Sequence, residues 1–238
     1  MRHTIHTVIL GVIATMSLSA CVSIKPAEMA QPSGLTSAKL YQVAGLGHGR
    51  TGTFQIGAWN GAFQRSDDRL AIFDPLIQQR KGLVQFSFNG PSLDGTIRAE
   101  CSAKERTLQL DFIAMTVSPM AYSCSFRHDG RTLPARFEVQ SQSDGVETLM
   151  ARRAGEIAFD RAIVQIRSSH RIVGTPLPSP TPMGYEFTRA GAPIGSVSFN
   201  KGMEVRVVQG TTPEEERAII LASLALGIVW DPAASTLG

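Results

Sequence analysis

Short runs of alternating apolar and polar residues, broken by turn dipeptides, fill most of this chain. In Thr53–Trp59 the residues Phe54, Ile56 and Ala58 fall on one side of the alternation, the two-residue period of a half-buried strand. Asn60-Gly61 follows and predicts a hairpin turn there, because a two-residue type I′ turn needs positive φ at both central positions. Further stops stand at Asn89-Gly90-Pro91, Asp94-Gly95, Asp129-Gly130, Asp144-Gly145 and Asn200-Lys201-Gly202. Between them strands are expected over 83–88, 96–101, 107–117, 121–127, 133–140, 157–166, 185–189, 194–199 and 204–209. From about Leu40 onward this makes roughly a dozen strands, mostly in hairpin order, and predicts a mainly β fold, an antiparallel barrel or sandwich. Prolines 176, 178, 180 and 182 remove ladder donors from 174–184, which reads as an extended, stiff connector.

The C-terminal segment breaks the alternation. Thr212-Pro213-Glu214-Glu215 has the form of a capping box, with a hydroxyl at the cap, proline at the first helical position and glutamate three after the cap. The run from Ala218 to Trp230 then contains one mildly polar residue, Ser223. A surface helix would show a polar stripe at period 3.6, and this one has none. At 1.5 Å per residue it reaches about 20 Å, short of a hydrocarbon core of about 30 Å. The expectation is one hydrophobic helix, about 213–230, buried inside a single β-rich domain covering 39–238, and ended by Asp231-Pro232.

Many antiparallel strands followed by an all-apolar terminal helix resembles the Tubby C-terminal superfamily, which includes the LURP-one-related and phospholipid-scramblase-like proteins. Gly184–Pro232 carries the resemblance: the hairpin Tyr185–Phe199, the strand Glu204–Gln209 and the helix through Trp230-Asp231. It implies a closed barrel around a central hydrophobic helix. It transfers no site, because none of that superfamily's phosphoinositide- or calcium-binding residues maps onto this sequence.

A second apolar run lies at the other end. Met1–Thr7 carries one fixed positive charge, Arg2, and Val8–Leu18 is apolar. That run is too short for a transmembrane helix and has the layout of a secretory signal. Leu18-Ser19-Ala20-Cys21 closes it and resembles the lipobox of bacterial lipoproteins. The resemblance implies a signal peptide over 1–20, diacylglycerol on the Cys21 thiol, and acylation of the new N-terminus. Two or more acyl chains anchor stably where one binds marginally. Val22 in place of Asp after the cysteine implies, by the same resemblance, the outer membrane facing the periplasm in a cell that has one. Val22–Ala38, with Pro26, Pro32 and Gly34 and no periodicity, reads as part of a flexible tether over 21–38 that reaches about 50 Å when extended.

Charge and cysteines narrow the partners. Without Arg2 the mature chain holds 22 basic and 20 acidic side chains, a balance that argues against nucleic acid. Lipidation of Cys21 leaves Cys101 and Cys124. An oxidising envelope compartment permits a bridge between them. The predicted strand order, however, puts a further strand between the two, and a disulfide needs Cα atoms within about 7 Å. A disulfide and a pair of buried thiols both remain open at this stage.

The chemistry-bearing motifs are thin. Gly47-His48-Gly49-Arg50-Thr51-Gly52 matches the dinucleotide pattern but precedes a predicted strand, where a phosphate loop needs a helix. Gly90–Gly95 is one residue too long for a nucleophile elbow. His48, His128 and His170 share no metal-ligand spacing and read as turn or surface histidines. If 161–171 is one regular strand, Arg161, Arg167 and Arg171 share a face that could meet lipid phosphates, lipopolysaccharide or an acidic protein. The expectation is therefore a lipid-anchored, non-enzymatic envelope protein without cofactor or metal. Its partners would be the membrane, through the N-terminal lipid, and an envelope protein or anionic lipid. An envelope enzyme with a site assembled from distant residues, or a lipid-handling barrel, are the alternatives.

Overall fold

Twelve strands run up and down around one ring, and the last closes on the first. A computed structural model describes residues 26–71, 77–91, 93–110, 113–142 and 150–229, with backbone alone for 67–71, 77–80, 105–110 and 113–119. The strands are β1 (Lys39–Ala44), β2 (Thr51–Ile56), β3 (Trp59–Ala71), β4 (Ile77–Phe88), β5 (Ile97–Leu110), β6 (Ile113–His128), β7 (Arg131–Ser141), β8 (Arg153–Phe159), β9 (Ala162–Ser169), β10 (Gly184–Arg189), β11 (Ala192–Ser198) and β12 (Met203–Val207). Every neighbouring pair is antiparallel, and β1 lies between β2 and β12, with Lys39 opposite Val207. Closure decides for a barrel over a sandwich, since it removes the unpaired edges that a sandwich must protect.

Twelve strands enclose more space than the side chains of a small barrel fill. The helix α1 (Pro213–Ile228) takes up the surplus. Residues 218–226 and Ile228 are buried on every side of it, as the missing polar stripe requires. Its entry follows the capping box: the Glu215 amide donates to Thr212 Oγ1, and Thr212 N donates to Glu215 Oε2. Burial alone would raise the Glu215 pKa, but the Thr212 amide and the Arg189 guanidinium, 2.9 Å away, hold it below the usual carboxylate range.

Four sequence expectations are corrected. Asn60-Gly61 is not the turn; Gly57, at φ 58°, and Ala58 reverse the chain, and Asn60-Gly61 lies inside β3. Glycine is required at 61 for a different reason, since a Cβ there would stand 1.8 Å from Ser87 O. The strand expected over 157–166 is a hairpin, reversed at Asp160-Arg161 with Asp160 at φ 54°. Asp tolerates that region without a following glycine, so the turn left no dipeptide signal. The strand expected over 107–117 is also two strands, because Leu110 pairs with Ile113.

The fourth correction concerns the tether. Residues 27–35 are docked on the barrel. Ala27 O accepts from Asn200 Nδ2, Val173 N donates to Glu28 O, Ala30 N donates to Arg171 O, and Ser196 Oγ donates to Gln31 Oε1. Met29 and Leu35 are buried, and buried apolar contacts of this kind are what a free linker lacks. Signal residues 1–20, Cys21, Asp144-Gly145 and the helix stop at Asp231-Pro232 lie outside the described residues.

Merging the short predicted strands settles the cysteine question. Cys101 in β5 and Cys124 in β6 are direct cross-strand partners, their Cα atoms 4.0 Å apart, and they form a disulfide. No strand separates them, because 107–117 is the far end of the same hairpin. The bridge closes a loop with a sequence separation of 23. Its reduction should cost about 3 kcal/mol by loop entropy and lower the melting temperature by about 6–12 °C, read in thermal melts with and without reductant. An unchanged melt would show that the bridge contributes nothing to the fold.

Candidate functional surface

Among the described residues α1 occupies the inside of the barrel, and the polar clusters lie at the two rims. The lower rim holds the start of α1, and the upper rim holds its end. At the upper end Tyr122 Oη donates to Ala225 O at 2.9 Å, and burial pushes the phenol well above its ordinary pKa. Arg65, from β3, is buried beside it. Its Nη1 donates to Ile228 O at 3.1 Å, its Nε to Gly49 O at 2.9 Å, and its Nη2 to Gly47 O. One guanidinium therefore ties the helix C-terminus, where carbonyls lack intrahelical partners, to the β1–β2 connection. The glycine-rich 47–52 motif is the receiver of these bonds. No helix follows it, so it offers no phosphate cradle. Burial draws the Arg65 pKa below its ordinary value, but a guanidinium stays charged in proteins.

The lower rim carries a cleft of about 370 Å³ that includes His128, Asp94, Asp160, Arg161, Glu214 and Arg217. These groups are largely tied to one another. Arg217 Nη2 lies 3.0 Å from Asp160 Oδ2 and 3.8 Å from Glu214 Oε1, and His128 Nε2 faces Asp94 O. No serine, threonine or cysteine lines the cleft among the described residues.

The upper rim contains a polar cluster that sequence reading missed. His170 is buried, contrary to the turn or surface position expected. Its Nδ1 donates to Ser179 O at 2.9 Å, which leaves Nε2 to accept from Ser168 Oγ at 3.0 Å. Burial lowers the imidazole pKa; the Ser179 carbonyl opposes this, and the nearby Arg152 and Arg153 charges add to it. Ser168 Oγ also accepts from Arg153 N, while Arg153 Nη1 donates to Tyr185 Oη at 3.0 Å. A serine hydroxyl on an oriented imidazole has the outline of a nucleophile and its base. In this fold it also closes a loop. Ser179 N returns a bond to His170 O, so the pair pins the proline-spaced β9–β10 connection. The signal available in sequence was only Ser168 two residues before His170.

The arginine face comes apart. Arg167 is exposed in β9, but Arg161 sits in the β8–β9 turn at the lower rim. Alternation breaks at buried Ser169, and Arg171 lies past the strand end, 3.1 Å from Glu186 Oε1. The eight residues of β9, Ala162–Ser169, lie between the first and the last, about 26 Å of strand. The three do not form one patch, because the strand is irregular where the sequence reading needed it regular.

The docked segment redefines the N-terminal end. Residues 27–35 leave the upper rim beside the β9–β10 and β11–β12 connections and descend the outside of the barrel to the start of β1. Pro26 therefore stands at the upper rim, five residues after Cys21. Five residues span at most about 17 Å. Among the described residues no group of three or more His, Cys, Asp or Glu side chains could hold a metal ion. No family model, curated protein or solved structure matches the chain.

Proposed function

We propose that the protein is a lipid-anchored lipoprotein of the cell envelope, placed on the outer membrane facing the periplasm in a cell that has one. Its barrel serves as a rigid, non-enzymatic binding or structural element at the membrane surface. The observation that carries this reading is the docked N-terminal segment. It puts the chain exit at one rim, about 17 Å at most from the lipobox cysteine, so an anchor at Cys21 would hold that rim near the bilayer. A lumen filled by α1 and a lower cleft closed into ion pairs favour recognition over catalysis. The Tubby-like reading accords with a barrel around a terminal helix and adds no ligand.

Radioactive or alkyne-tagged palmitate supplied to expressing cells should label the wild-type chain. Cys21→Ser should lose all label and move from the membrane pellet to the soluble fraction. An unlabelled, soluble wild-type chain would remove the proposal.

A further inference from the structure

Strands β3 to β6 have 12 to 16 residues and outgrow the upper rim, while β8 to β12 have 5 to 8 and stop at it. On the short side the connection 170–183 covers the barrel end. Backbone bonds fix its path: Met183 N donates to Ser169 O, Ala151 N to Pro180 O and Ser179 N to His170 O, each at 2.8 Å. The docked segment is built on the same connection. Val173 N donates to Glu28 O and Ala30 N to Arg171 O, both at 2.9 Å, and Met29 forms a bridge with Ile172 between them. The Met29 side chain is buried over Gly184, where a Cβ would stand 2.6 Å from its sulfur. Asn200 Nδ2 and Lys201 Nζ hold Ala27 O and the Glu28 carboxylate from the β11–β12 connection. Residues 27–30 thus sit between two connections, and loosening 171–173 removes both of these backbone bonds.

His170 fixes the course of 171–173. It joins β9 to Arg171 and is 8% exposed. Ser179 O, 2.9 Å from Nδ1, can only accept, so Nδ1 carries the hydrogen and Nε2 is bare. Ser168 Oγ, 3.0 Å away, donates to Nε2 and accepts from Arg153 N at 2.9 Å. The ring therefore ties 168 to 179 through two bonds that exist together only in this neutral tautomer. A second proton, on Nε2, would meet the Ser168 hydrogen. The hydroxyl would have to turn, and its other described partner, Arg153 N, is a donor that cannot take its hydrogen. Arg152 and Arg153, at the start of β8, act on the ring and oppose a second proton, and no carboxylate among the described residues acts on it. The other charged and titratable neighbours are engaged elsewhere or point away. Arg171 pairs with Glu186 of β10, Glu28 with Lys201, and Tyr185 of β10 with Arg153 Nη1, while Arg167 is exposed on the outer face of β9.

We infer that His170 is an acid-released clasp: a second proton on its ring frees the connection 170–183 and, with it, residues 27–30 of the docked segment. Once open, the imidazole regains water and its ordinary pKa of about 6.5, whereas the closed form resists the proton until a lower pH. The closed form therefore binds fewer protons than the open one. Its hold is complete at pH 7.5 and weakens as pH falls through about 6.5. By this linkage the opening equilibrium can rise at most about thirtyfold between pH 7.5 and pH 5.0. Freeing residues 26–30 lengthens the chain between Cys21 and the barrel from five residues to ten, or from about 17 to about 34 Å. That change of reach rests on the lipoprotein reading; the clasp itself does not.

The test uses the chain without residues 1–20 and with Cys21→Ser, so that no acyl chain contributes. Hydrogen exchange is measured at pH 7.5 and pH 5.0, each rate divided by the intrinsic rate at that pH. Protection of the Ala30, Val173 and Ser179 amides should fall at least about fivefold at the lower pH. His170→Asn keeps a donor for Ser179 O and cannot take up a proton, so its protection should change by less than about twofold. Nitrogen-15 spectra of the wild-type imidazole should show hydrogen on Nδ1 and none on Nε2 at pH 7.5. Proton uptake at Nε2 should then move in step with the amide resonances of Ala30 and Val173. An equal pH response in wild type and His170→Asn would overturn the inference. So would protonation of the ring with those resonances unmoved, or hydrogen on Nε2 at pH 7.5. Should His170→Asn fail to dock its N-terminal segment, the wild-type titration decides alone. Palmitate labelling reports on the anchor separately, so failure of either reading leaves the other standing.

Discussion

Replacing Ala222 by aspartate should abolish the fold. Ala222 is fully buried in the middle of α1, and its neighbours on all sides of the helix are equally buried. No rotation of the helix can bring a carboxylate there to water, because α1 has no exposed face. Burying an unpaired ion costs several kcal/mol even after relaxation, comparable with the whole stability of about 5–15 kcal/mol expected for a domain. The variant should be recovered as insoluble protein without a cooperative melt. Ser223→Ala, one residue along, should do the reverse. Its hydroxyl is fully buried and has no hydrogen-bond partner among the described residues. Removing it should gain about 1–2 kcal/mol, seen as a higher denaturant midpoint at unchanged slope. A soluble, cooperatively melting Ala222→Asp protein would mean that the helix can leave the lumen.

Arg65→Met should be the costliest single truncation outside the helix. The methionine fills similar space but strips the donors from Gly47 O, Gly49 O and Ile228 O together. Hydrogen bonds from a charged group are worth about 1.5–3 kcal/mol each; the bond to Ile228 O is buried, while exposed Gly47 and Gly49 can turn to water, so a total near 3–5 kcal/mol is expected. That corresponds to about 6–20 °C in melting temperature. Arg65→Lys should recover only a fraction, because one ammonium cannot reach three diverging carbonyls as the planar fork does. Hydrogen exchange should speed up first at the end of α1 and at 47–49. A loss below about 1 kcal/mol would show that water replaces the guanidinium there.

Both variants concern features read from sequence to very different degrees. The helix was legible: a capping box at Thr212–Glu215 and an apolar run broken only by Ser223 each point to it without tertiary information. Arg65 was not. It occupies an apolar-side position of β3, where a pattern reading sees only an exception. Its partners are backbone carbonyls 16 to 163 residues away, and carbonyls carry no side-chain signature.

The turns show the same limit. Asp129-Gly130 reverses the chain with both residues at positive φ, as its sequence demands. Asn60-Gly61 has the same chemistry and lies in a strand, because Gly57-Ala58 turns three residues earlier and Gly61 answers to Ser87 O instead. The rims were less legible still. His128 lies far in sequence from Asp160 and Arg217 of its cleft, His170 meets Ser168 and Ser179 only because the proline-spaced connection folds back on it, and the arginine row fails because the strand is not regular through Ser169.

By itself the sequence determined the all-antiparallel strands, their approximate number, the buried terminal helix and the expected address at Cys21. Each of these rests on local periodicity or a contiguous motif. Only the tertiary structure decided that the strands close into a barrel, that Cys101 meets Cys124, that the expected tether is a docked segment, and that four strands outgrow the rim. Those outcomes depend on register between strands. Register is set by which faces must be buried and by where neighbouring strands end, and no local stretch of sequence records either.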